Sequence, residues 1–135
     1  MKGIVADNDV EGFVIAILSI WLSDSWRDIW NDLGLSVRKM SELGLPRESS
    51  DALIWRTCQR EELVLVTGNR NRDGVDSLEA VIRSDNQADS LPVVTLANLD
   101  RLARDRTYAE KIAARLLEYL MRIDEVRGAG RLYVP

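Results

Sequence analysis

Three short runs, apolar at nearly every residue, constrain this chain more than any other feature: Gly3-Ile4-Val5-Ala6, Leu63-Val64-Leu65-Val66 and Pro92-Val93-Val94-Thr95-Leu96. A strand with one face in water alternates apolar and polar residues, whereas a run apolar on both faces must be covered on both, as in a parallel sheet. Between these runs lie segments of helical period, expected at 10–22, 24–33, 51–60, 75–83, 99–105 and 108–126. Gly34 stops the second, Ser49-Ser50-Asp51 opens the third, and the last carries the stripe Ala109, Ile112, Ala113, Leu116, Leu117, Leu120, Ile123. Weaker strand signals occur at 35–39 and 131–134. Strands alternating with helices imply a three-layer α/β/α sandwich around a central, mostly parallel sheet of four to five strands. With 135 residues and no repeat, linker or low-complexity tract, a single domain over 1–135 is expected.

Composition narrows the chemistry. The net charge of −4 is the wrong sign for a protein that holds nucleic acid by phosphate neutralisation alone, so any such contact needs a local patch. The single cysteine, Cys58, excludes an intrachain disulfide, suits a reducing compartment, and reads as a small buried hydrophobe. Histidine is absent, which removes the usual general base and the usual zinc ligand. The apolar run 13–22 is ten residues long, too short to span a bilayer, and is preceded by Asp7, Asp9 and Glu11, not by a basic leader. A cytoplasmic protein is expected. Trp26 and Trp30 fall on one helical face and are expected in the core; were they exposed, they would mark a homodimer or other partner surface.

In open parallel sheets, ligands bind outside the carboxyl ends of the strands. Asp7 follows the first strand, Thr67, Asn69 and Asn71 the third, and Asp51 opens a helix that starts at the same edge. Asp76 and Glu79, three apart, share a helical face at the margin of the apolar stripe Val75, Leu78, Ile82. Carboxylates gathered at one edge repel one another, and a hard dication such as Mg2+ or Mn2+ relieves that repulsion and activates water for phosphodiester hydrolysis. Each residue also has a plain structural use. Asp7 suits a helix cap and Asp51 a helix dipole; Asn69, Asn71 and Asp73 suit a turn, and Asp76 and Glu79 suit a solvated first turn. A phosphoacceptor receiver domain also gathers acids at sheet ends, but it wants a lysine after the last strand, and Lys2, Lys39 and Lys111 are not so placed.

The strand ending in Asp7, the helix opening at Ser50-Asp51, and the stretch from Leu63 through Val66-Thr67-Gly68-Asn69-Arg70-Asn71 resemble the PIN-like domain superfamily. The run from Gly68 to Glu79 and the tail from Gly130 to Pro135 are similar to small bacterial members of that group. The resemblance implies a Mg2+- or Mn2+-dependent nuclease, with Asp7 and Asp51 matching its first two acids, RNA as substrate, and an antitoxin or other protein as partner, as in toxin–antitoxin pairs. Asn69 and Asn71 stand where that family carries its third and fourth acids. Asp73, Asp76 and Glu79 are the substitutes at hand, so the expected metal set is Asp7, Asp51, Asp73, Asp76 and Glu79. Thr67, Asn69, Arg70, Asn71 and Arg72 are the expected substrate contacts. The alternative is a catalytically degenerate module that binds a partner protein or RNA.

Overall fold

The computed structural model describes residues 1–46, 48–68 and 77–135. Five strands, β1 (Gly3–Ala6), β2 (Ser36–Lys39), β3 (Leu63–Thr67), β4 (Val93–Leu96) and β5 (Arg131–Val134), form one sheet in the order β2-β1-β3-β4-β5. Every neighbouring pair is parallel, and the central register sets Gly3 beside Leu63 and Ala6 beside Val66. The sheet is thus five-stranded and wholly parallel.

Alternation along the strands divides the core in two. Ile4, Ala6, Val64, Val66, Val94, Leu96 and Val134 face one layer, with α1 (Glu11–Trp21), α5 (Leu99–Arg104) and α6 (Arg106–Met121). Val5, Leu63, Leu65 and Val93 face the other, with α3 (Asp51–Arg60) and α4 (Leu78–Asp85). Both faces of β1, β3 and β4 are buried, which is why their sequences carry no polar alternation. No helix among the described residues is long and apolar enough to cross a membrane.

Three details differ from the sequence reading. A 3-10 turn (Asn8–Val10) precedes α1, and α2 (Arg27–Leu33) starts late, after a turn at 23–26. The expected helix 108–126 is two, α6 and α7 (Ile123–Val126), broken at Arg122, whose φ of −111° and ψ of 31° leave helical geometry. Neither glycine nor proline stands at that break, so no residue announces it. Trp30 lies in the core and Trp26 packs partly buried against it, as expected. Trp30 stacks on Trp21, ring centroids 4.6 Å apart and 20° between planes, and the Trp21 indole N–H donates to the Ala113 carbonyl at 3.0 Å. That bond ties α1 to α6 and satisfies the one polar atom that the buried ring carries.

Candidate active site at the carboxyl edge

The strand order creates a crevice. From β1 the chain passes to α1 on one face, and from β3 it passes to α4 on the other, so the two connections diverge above adjacent strands. Such a switch point is where open α/β sheets take their ligands. Asp7 follows β1 there and Thr67 ends β3.

Alternation continues past the apolar residues: Asp7, Thr67 and Thr95 follow Val5, Leu65 and Val93 on the α3/α4 face. Thr67 and Thr95 have no solvent exposure and are register partners on β3 and β4. A buried hydroxyl needs a partner, and Thr67 Oγ1 donates to Asp7 Oδ2 at 2.8 Å. Asp7 Oδ1 accepts from the Asn8 N–H at 2.8 Å, capping the 3-10 turn. Capping and site placement are therefore compatible: both carboxylate oxygens are held by one donor each, and a carboxylate has about four lone-pair positions.

Asp9 is the residue the sequence reading passed over as turn chemistry. Its carboxylate lies against Gly68 and accepts that residue's N–H. Burial pushes its pKa above the ordinary 3.8, and the neighbouring charge of Asp7 pushes it the same way. A Cβ on Gly68 would lie 2.9 Å from Asp9 Oδ2 and 3.1 Å from Leu99 Cδ1, so a larger residue there would displace the Asp9 carboxylate. The spacing Asp7-x-Asp9 after a strand was the available signal; what it lacked was the neighbour, β3.

Cys58, on α3, is buried. Its thiol is pushed up to about 12, first by burial and then by the charge of Asp7, which sets it beneath the same edge. Beside the acids opens a cleft of about 530 Å3, lined by Asn8, Glu11, Met40, Ser41, Leu45 and Ile54 among others. One wall is polar and comes from the segment after β1; the other is largely apolar and comes from the segments after β2 and from α3.

Two of the other expected ligands, Asp51 and Glu79, have partners of their own. Asp51 Oδ2 accepts the Leu78 N–H at 3.1 Å, so this residue, first in α3, also satisfies a free donor at the start of α4. Glu79 pairs with Arg131 of β5, Oε2 to Nε at 3.3 Å, and Arg131 also donates to the Thr95 hydroxyl at 2.6 Å. Asn69, Arg70, Asn71, Arg72, Asp73 and Asp76 lie outside the described residues. Among the described residues, no three of Asp, Glu, Cys and His are disposed to hold one metal ion. Asp7 and Asp9 are the carboxylates that meet at the switch point, and two hard oxygen donors, one with its proton affinity raised by the other's charge, are the chemistry a hard dication fits. No family model, curated protein or solved structure matches the chain.

Proposed function

We infer that the chain is a PIN-like, Mg2+- or Mn2+-dependent phosphodiester hydrolase acting on RNA, working at the β1/β3 edge. The observation that carries this reading is the Asp7/Asp9 pair. Two carboxylates are held at a switch point by Thr67 and by the Gly68 N–H, with the proton affinity of Asp9 raised by burial and by Asp7. Asp7 and Asp9 would hold the ion, with Asp51 within the same face and Asp73, Asp76 and Glu79 as the further acids the resemblance offers. When bound, the dication neutralises the paired carboxylates and supplies an activated water and charge stabilisation at the scissile phosphate. Thr67 fixes the rotamer of Asp7, and the apolar wall of the neighbouring cleft suits an unstacked base, with Arg70 and Arg72 as backbone contacts. A single-stranded RNA incubated with the protein and Mn2+ should be cleaved, and cleavage should fall at least about a hundredfold in Asp7→Asn. Undiminished cleavage by that variant would remove the reading.

A second reading is favoured by one specific observation. Glu79 already has its charge balanced by Arg131, and Asp51 is engaged at the start of α4, so fewer acids remain for an ion. A degenerate PIN-like module would keep the fold and bind RNA, an antitoxin-like protein or a second copy of itself without cleavage. Binding of RNA that is indifferent to EDTA, with no cleavage, would select it.

A further inference from the structure

The cleft of about 530 Å3 beside the acids is within the volume range of small-molecule sites, and its two walls differ in chemistry. β1 leads through Asp7 into the 3-10 turn Asn8–Val10, and Asn8 and Glu11 line the polar wall. β2 leads into a second 3-10 turn, Met40–Leu43. That turn, the segment after it and α3 supply Met40, Leu45, Pro46 and Ile54 to the apolar wall. Met40 is buried, but Leu45 and Ile54 are only half-buried, so this wall keeps uncovered apolar surface.

A 3-10 turn sets residues three apart one above the other, which brings the Asn8 amide and the Glu11 carboxylate to one side. Neither side chain has a partner among the described residues; the bond from Asn8 to Asp7 is made by its backbone N–H. The amide can donate, and the carboxylate only accepts, through two oxygens. The polar wall therefore offers one donor beside a pair of acceptors, opposite a wall with nothing polar to satisfy.

A base taken out of its stack needs its faces covered and its edge hydrogen-bonded. Guanine is the base whose edge carries an acceptor, O6, followed by two adjacent donors, the N1–H and the 2-amino group. Adenine and cytosine place an acceptor ring nitrogen next to their single amino group, and uracil's one N–H lies between two carbonyls. Each of those three sets a lone pair against a carboxylate oxygen, and a polar group left facing a like one costs affinity.

We propose that this cleft selects guanine in the RNA, with Glu11 accepting from the N1–H and the 2-amino group and Asn8 donating to O6. The ring lies against Met40, Leu45 and Ile54. Asn8 stands between Asp7 and Asp9 in the chain, so a guanine held there carries its own phosphate toward the acids. The inference rests on the hydrolase reading for why RNA comes to this edge, and it makes Glu11 the residue that sets base preference.

The test titrates methyl-labelled protein in Mg2+ with the 5′-monophosphates of guanosine, inosine and adenosine and follows the Met40 and Ile54 methyl signals. These nucleotides hold no diester bond, so binding is read whether or not the chain cleaves RNA. Guanosine monophosphate should move both signals saturably and bind about tenfold more tightly than inosine monophosphate, which lacks the 2-amino group, and than adenosine monophosphate. Glu11→Gln should bring the three within about threefold of one another. An acid at the start of α1 is favoured by the helix dipole in any case, and a role confined to that would leave the preference intact in the variant. No movement with any nucleotide, equal binding of the guanine and inosine forms, or a preference that survives Glu11→Gln would overturn the proposal. The comparison among nucleotides needs no substitution, so it stands even if the variant does not fold. An RNA with one guanine, incubated with Mn2+, separates the two claims: cleavage blind to the guanine sinks this inference alone, and guanine-selective binding without cleavage sinks the hydrolase reading alone.

Discussion

Thr67 has no access to solvent, and its hydroxyl donates to Asp7, a contact that helps anchor the acid at the head of the site. Asp9 beside it is held by the Gly68 N–H but meets the charge of Asp7. Because its folded pKa is raised above the ordinary 3.8, the native state prefers the protonated acid. The stability this contributes is present below 3.8 and is lost as pH rises past the folded value. Asp9→Asn should therefore raise Tm at pH 7, by about 1–3 °C, and change nothing at pH well below 3.8. Thermal melts of the two proteins across pH decide it; an equal gain at both ends of the range would show that repulsion is not the cause. Cys58 offers a second check. A thiol pushed up to about 12 is not a thiolate at pH 8, and here it is buried as well. It should react with a disulfide reagent at least about a hundredfold more slowly in the native protein than in urea.

At the scale of elements, polar side chains join α4 to the rest of the molecule at both of its flanks. Asp51 ties its start to the start of α3, and Glu79 ties its first turn to Arg131 of β5 and through it to Thr95 of β4. The Arg131 side chain is 6% exposed and that of Glu79 27%, so removing the acid takes a charged partner from a buried guanidinium. Glu79→Gln should cost about 2 kcal/mol or more in urea denaturation, while Glu79→Gln combined with Arg131→Met should cost less than the sum of the single changes. Strict additivity would mean that the pair does not couple α4 to β5. Asp51 illustrates a different economy, since an acid at a helix start is favoured by the dipole and here serves two helices at once.

On the scale of the whole molecule, the sheet was legible in the sequence because β1, β3 and β4 are buried on both faces, and only apolar runs satisfy that. The helices were legible from their stripes, but not where one stops for reasons outside itself, as at Arg122. Contacts between elements were mostly hidden. Trp30 stacks on Trp21 because of how α2 folds back on α1, and the pairing of Glu79 with Arg131 follows from β5 lying next to β4. Asp9 belongs to the site only because β3, not β2 alone, lies beside β1 and brings Gly68 against it. The acids at one edge could be expected from the carboxyl-end rule; which of them meet depends on strand order, which no local pattern encodes. The central claim is that Asp7 and Asp9 form a dication site at that edge. Titration calorimetry with Mn2+ tests it most directly: the native protein should bind the ion, with affinity reduced at least about tenfold in both Asp7→Asn and Asp9→Asn. No heat of binding, or an affinity unchanged in either variant, would contradict the account.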